Sequence, residues 1–270
     1  MSTAIDGADL IHTRIWREEP EAGNPFAARR AFCRGYDVFG QMAGRARWVQ
    51  MLMLLLRDEL PGAARLDMLE ALAVALANPG PRDPSVHAAM CGGVGGSPAA
   101  ASLIAALSVG AGRNGGARDV FDAMVLWRDC GHDLAGWQDA NAQAPAGSWP
   151  ERAHLPGFDA HGESASGVVR DLLATLARVG DTPGVNWLRQ HLDEVERAAG
   201  HALGLAGVAA CVLHDLGLAP EEGEMLYLLL RLPGAAAHAL EQTREGFRRF
   251  PFYKVELTEN AATRSLPEAA

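Results

Sequence analysis

Aromatic residues make up only 6% of this 270-residue chain, and β-branched residues are sparse. Strands draw on both kinds, so a sheet protein is not expected. There is no basic excess either. Lys and Arg number 24 against 33 Asp and Glu, a formal net charge of −9, which argues against non-specific nucleic-acid binding. An anionic ligand would need a local arginine cluster or a helix N-terminus. Long hydrophobic runs are missing. The most apolar stretch, Trp48 to Leu56, is about nine residues, whereas a membrane span needs roughly twenty; it reads as a buried helix. From Met1 to Gly23 no apolar stretch of the signal-peptide kind occurs, and a soluble, cytoplasmic protein is expected. The four cysteines, Cys33, Cys91, Cys130 and Cys211, never stand at metal-ligand spacing. They read as buried, reduced thiols rather than a disulfide or zinc framework, and no metal site is expected. No period-2 alternation is long enough to trust as a strand, and no internal repeat is visible.

What is present favours helix. Ala, Leu and Gly dominate, and hydrophobic residues form 49% of the chain, enough for a sizeable core in one or two domains. The spacing predicts a helix from Ala46 ended by Leu60-Pro61-Gly62, and a second over 63–77 stopped by Asn78-Pro79-Gly80-Pro81. The small-residue region 87–112 reads as packed helix, with further helices over 119–130, 166–179, 187–200 and 203–216. Pro220 opens another that runs to Arg231, before Pro233-Gly234 and a closing helical stretch. Residues 138–152, rich in Ala, Pro, Gln and Ser, read as the clearest loop. The sum is eight to eleven helices joined by short Gly/Pro turns.

Several segments, in order, resemble citrate synthases and their citryl-CoA lyase relatives. Cys33-Arg34-Gly35-Tyr36-Asp37-Val38, followed by Leu54-Leu55-Leu56-Arg57-Asp58-Glu59-Leu60-Pro61, looks like that family's opening. Gly112-Arg113-Asn114-Gly115-Gly116-Ala117 resembles its Gly-x-x-His-Gly-Gly-Ala turn, and Leu155-Pro156-Gly157-Phe158 the start of its Pro-Gly-Phe-Gly-His motif. Leu230-Arg231-Leu232-Pro233-Gly234, with Ala237-His238 and Glu241-Gln242, resembles the late Arg-x-x-Gly-x-x-Ala-His-x-x-Glu-Gln segment. The resemblance spans residues 14–254, and the chain length leans toward the lyase-like branch.

It implies an all-α, two-domain fold: a large domain of 1–114 plus 205–270, a small domain of 115–204, and the active site in the cleft between them. It also implies a homodimer, alone or with a conventional homologue, acting on an acyl-CoA or a carboxylic acid. Coenzyme A would belong to the substrate, and no cofactor would be held permanently. The family condenses an acyl-CoA with a 2-oxo acid or runs the cleavage, using two histidines and an aspartate. Here the first histidine position holds Asn114, still an amide donor for an enolate oxygen or else a turn residue before Gly115. At the second, Asp159-Ala160-His161 stands in place of Gly-His, so His161 serves if the loop re-routes, with Asp159 or Glu163 orienting it; otherwise it is a solvent-exposed loop residue. The Arg of the Asp-Pro-Arg that follows in the family is replaced within Ser164-Ala165-Ser166. The aspartate position falls at Leu205-Ala206-Gly207, where no carboxylate lies. The expected catalytic set is therefore Asn114, His161 and Asp159. Arg113, Gly115, Gly157, Phe158 and Arg231 are expected at the substrate or CoA. An enzyme forming or cleaving a C–C bond in a CoA thioester of a hydroxy acid is the leading expectation. A catalytically degenerate, ligand-binding or regulatory homodimer and repurposed chemistry are the alternatives. Fold alone does not choose.

Overall fold

The structure is a computed structural model that describes residues 12–143, 154–159, 161–162, 164–180, 182–251 and 253–254. Eleven α-helices dominate these residues, as the composition predicts. In chain order they are α1 (Trp48–Leu56), α2 (Ala63–Leu76), α3 (Pro84–Val94), α4 (Ala99–Gly110), α5 (Ala117–Cys130), α6 (Leu134–Ala142), α7 (Gly167–Gly180), α8 (Pro183–Gln190), α9 (Leu192–Ala199), α10 (Leu205–Asp215) and α11 (Pro220–Glu245). None is long and apolar enough to cross a membrane.

The core is organised around α10. Every residue from Ala206 to Leu213 is buried, because Ala, Gly, Val, Cys and Leu cover its whole circumference. Small side chains let α5, α8, α11, α2 and α7 close on it from all sides. Each Val or Leu so buried contributes about 1.5–3 kcal/mol of transfer free energy.

Four sequence expectations need correction. The first concerns strands. β1 (Trp16–Glu21) and β2 (Asn24–Cys33) form an antiparallel hairpin, extended by β3 (Tyr36–Asp37) across the two-residue turn Arg34-Gly35. Both turn residues have positive φ, 49° and 90°, as a twist-matched hairpin turn requires. The hairpin escapes a period-2 search because both faces of β1 and most of β2 are exposed, and the register shifts around Pro20. It is held by cross-strand charge, Arg29 to Glu19 at 3.0 Å, and by Arg17 and Arg30 guanidiniums over the Phe32 ring. Only its end, Ala31 to Cys33, is buried, and Cys33 enters a small core with Met42 and Leu54.

The second correction is continuity. α11 runs 26 residues straight through Pro233. Proline removes a ladder donor, and the next donor also leaves the ladder: Gly234 N–H donates to the Ala77 carbonyl at 2.7 Å. A tertiary hydrogen bond to the end of α2 thus takes up the donor next to the proline. Conversely, the helix expected over 187–200 is two, α8 and α9. They break at His191, whose Nδ1 lies 3.0 Å from the Trp187 carbonyl and competes for that acceptor. The third concerns the loop predicted from Gln138. Residues 138–142 belong to α6, whose Trp137 is buried against Trp127; residues 144–153 lie outside the described ones. The fourth is Cys91, which is exposed on α3, whereas Cys33 and Cys211 are buried as expected. Burial pushes the Cys211 thiol well above its ordinary value, so it stays protonated at neutral pH.

Candidate active site

A cavity of about 790 Å3 opens where the N-terminal ends of α3, α5 and α10 approach the middle of α11. That is within the usual range for a small-molecule site. Three stretches of backbone build it.

The first is the turn before α5. Gly115 adopts φ +69°, a conformation glycine takes without steric cost. Its carbonyl accepts from Arg231 Nη1 at 3.2 Å and, more loosely, from the Tyr227 hydroxyl at 3.4 Å. Both donors stand on α11, and both are buried. This fixes Asn114, which lines the cavity with its amide unpartnered among the described residues. The Tyr227 phenol is pushed up to about 12, chiefly by burial, with Arg231 opposing and Asp83 and Asp119 reinforcing. It is therefore a neutral donor at physiological pH.

The second is the loop from Gly157 to Gly162. It is stitched to β5 (Ala202–Leu203) through the two-residue strand β4 (Phe158–Asp159). Gly204 N–H donates to the Gly157 carbonyl at 2.9 Å, and Ala202 N–H to that of Gly162 at 3.1 Å. Gly157 is at φ +85°, and a Cβ there would stand 2.7 Å from Gly207 Cα, so only glycine fits. Its N–H donates to the buried Asp119 carboxylate at 3.1 Å. Farther along, Asp159 Oδ1 accepts from the His161 backbone N–H at 2.9 Å. That side-chain turn brings His161 round to the cavity lining although it stands one residue late, and there it remains solvent-exposed, as the alternative reading expects. Asp159 thus orients the His161 backbone, not its ring. Glu163 lies outside the described residues. On the far side, the buried Glu196 of α9 accepts from Ala165 N–H at 2.7 Å and Leu203 N–H at 2.9 Å, anchoring the loop's exit.

The third is the α2–α3 connection, residues 78–83. Asp83 caps α3 through Ser85 N–H at 2.9 Å and forms an ion pair with Arg231. Asn78 Oδ1 lies 3.1 Å from His238 Nε2 of α11.

The structure therefore gathers Asn114, Gly115, Gly157, Phe158, Asp159, His161 and Arg231 around one space. Arg113 is exposed and does not line it. Ala206 does, at the position where the resemblance expects an aspartate, so no carboxylate reaches the cavity from α10 there. Sequence reasoning misses Asp119, Tyr227, Arg82 and His154, all in the lining. For Asp119 a signal exists. It occupies the same face as Val120, Ala123, Met124 and Trp127, and an acid on the apolar stripe of a helix is kept there by a specific partner. Among the described residues no group of three or more His, Cys, Asp or Glu is arranged to hold a metal ion.

No protein-family model matches the sequence, and no curated protein matches it. Solved structures do. The citryl-CoA lyase of Hydrogenobacter thermophilus superposes with a TM-score of 0.73 at 21% identity, over 96% of this chain and 98% of that one. The ATP citrate lyase of Methanothrix soehngenii, in complex with citrate and coenzyme A, gives 0.68 at 16%, over 96% of this chain and 44% of that one. The citrate synthase of Thermoplasma acidophilum, in a ternary complex with carboxymethyl coenzyme A and oxaloacetate, gives 0.60 at 14%, over 83% and 60%. At these identities it is the fold that is shared, and the chain has the helical citrate synthase-like fold.

Proposed function

We propose that this chain forms or cleaves a C–C bond in a CoA thioester of a hydroxy acid within this cavity. The observation that carries the reading is that Asn114 and His161, from segments far apart in sequence, line the same space. The coenzyme A-binding proteins that share the fold support it.

Cleavage is the direction these residues suit. His161 takes the proton from the substrate hydroxyl, and the O–H electrons become the new C=O. The C–C bond breaks, and its electron pair passes into the acyl-CoA as an enolate. The Asn114 amide donates to the enolate oxygen, a contribution of roughly 3–4 kcal/mol for a well-placed oxyanion donor. The proton on His161 then returns to the enolate carbon. Nothing is asked of Ala206. In this reading the segments 1–114 with 205–270 and 115–204 are the two domains, and the cavity draws on both. A second reading, a binding protein without turnover, is favoured by Ala206 and Asn114 standing where the resemblance expects an aspartate and a histidine.

Calorimetric titration with CoA and acetyl-CoA, followed by mass spectrometry of acyl-CoA species after incubation with 2-oxo and hydroxy acids, tests the reading. The wild type is expected to bind acetyl-CoA and turn over. His161→Ala is expected to lower turnover about 10²-fold or more and to leave acetyl-CoA affinity within a few-fold. Binding without turnover selects the second reading, and no binding of any CoA species defeats both.

The homodimer belongs to the same proposal. Met225, Leu229 and Leu240 are exposed on one flank of α11, and Ile104 and Val109 are exposed on α4, which packs beside it. Two neighbouring helices that leave apolar residues in water fit a self-complementary interface. Sedimentation is expected to give a dimer for the wild type and a monomer for Leu229→Glu; a monomeric wild type would refute it.

A further inference from the structure

Resting on the proposed function, the charges in the cavity carry the identification of the acid one step further. Among the described residues its lining holds three carboxylates, Asp83, Asp119 and Asp159, against two guanidiniums, Arg82 and Arg231, and the imidazoles of His154 and His161. Arg231 is committed inside the protein. Nη1 donates to the Gly115 carbonyl, Nη2 pairs with Asp83, and Nε is buried without a hydrogen bond among the described residues. With 7% of its surface exposed, it acts as a strut for the Asn114–Gly115 turn. Arg82 is the opposite case. It is exposed, it lines the cavity, and it has no hydrogen bond or ion pair among the described residues.

Arg82 is also held in place by its backbone. Asp83 N–H closes a turn onto the Gly80 carbonyl at 3.1 Å, with Pro81 inside that turn. The turn hangs between Asn78, bonded to His238, and Asp83, paired to Arg231. A guanidinium fork suits a carboxylate, which it meets with two parallel hydrogen bonds. Among the described lining residues a second carboxylate on the ligand would find no uncommitted guanidinium. It would sit instead among Asp119 and Asp159, where like charge and lost hydration both oppose it.

We infer that the cavity takes an acid with a single carboxylate, a 2-oxo monocarboxylate or the corresponding hydroxyacyl moiety, and that Arg82 grips that carboxylate. Dicarboxylic and tricarboxylic acids are discriminated against.

The test is calorimetric titration of the full chain with pyruvate, freshly prepared oxaloacetate, citrate, inorganic phosphate and acetyl-CoA. It compares the wild type with Arg82→Ala and Arg82→Lys, and thermal melts confirm folding. Pyruvate is expected to bind at least tenfold more tightly than oxaloacetate or citrate. Arg82→Ala is expected to weaken pyruvate tenfold or more and to leave acetyl-CoA within threefold, and Arg82→Lys to recover part of the loss. Oxaloacetate or citrate binding as tightly as pyruvate overturns the inference. So does pyruvate affinity unchanged in Arg82→Ala, or no binding of any acid. If Arg82→Ala weakens acetyl-CoA and phosphate instead, Arg82 is a phosphate ligand and the inference is wrong. Arg82-dependent pyruvate binding without any acetyl-CoA binding would sustain the acid site and defeat the proposed function alone.

Discussion

Glu196→Ala is expected to cost roughly 2–6 kcal/mol of stability, and to loosen the His161 loop before the chain unfolds. The carboxylate is only 7% exposed and accepts from two backbone donors, Ala165 N–H at 2.7 Å and Leu203 N–H at 2.9 Å. Truncation leaves both buried donors without a partner, each at about 1–3 kcal/mol. The full 7% exposure also means that water does not replace the lost oxygen cheaply. Arg170, 3.9 Å from the same carboxylate, would lose a neighbour of opposite charge, a minor effect because its side chain is 45% exposed. Leu203 pairs with Phe158 in the short ladder that carries Asp159 and His161, so freeing Leu203 frees the loop. Denaturant melts read the stability loss, and hydrogen exchange reads the Ala165 and Leu203 amides. Glu196→Gln keeps an acceptor oxygen and is expected to lose less than half as much. A loss below about 1 kcal/mol in Glu196→Ala would show that these hydrogen bonds do not hold the loop.

How far the sequence reveals this architecture depends on what kind of force fixes each part. Helices α2, α5, α7 and α10 are legible because apolar spacing and Gly or Pro stops are local signals. The continuity of α11 is not. Pro233 reads as a stop, and the donor that offsets it, Gly234 N–H to Ala77, joins residues 157 positions apart. The β1–β2 hairpin carries no alternation because neither face of β1 is covered. In the cavity, Asn114, Gly157 and His161 come from motif order. Arg82 and Tyr227 do not: Tyr227 acquires its place through its bond to Gly115, and Arg82 through a turn whose two ends, Asn78 and Asp83, are tied to α11. Asp159 shows the limit most directly. The Asp159–His161 turn that re-routes the chain is local, but that it places the histidine at the cavity lining depends on the ladder to β5.

Tyr227 sets the pH behaviour of the same site. Its folded value of about 12 stands above the ordinary 10, with burial the leading cause. Below pH 10 the phenol is neutral in both folded and unfolded chains, and its contribution is fully present. As pH rises past 10 the unfolded phenol ionises while the folded one keeps its proton. The unfolded state then binds fewer protons, and stability falls by about 1.4 kcal/mol per pH unit. The decline ends near the folded value of about 12, after a loss on the order of 2–3 kcal/mol. Tyr227→Phe has no group to ionise. Its stability relative to wild type is therefore expected to rise with pH from 10 upward, after starting about 0.5–1.5 kcal/mol lower from loss of the bond to Gly115. Denaturant titrations at pH 8, 9, 10, 10.5 and 11 on both proteins read the difference directly, because other alkaline groups such as Cys211 are common to the pair. A difference that stays flat across pH 10 would mean that the phenol ionises as freely in the fold as in water. It could not then be the buried neutral donor that, with Arg231, holds the Asn114–Gly115 turn against the cavity.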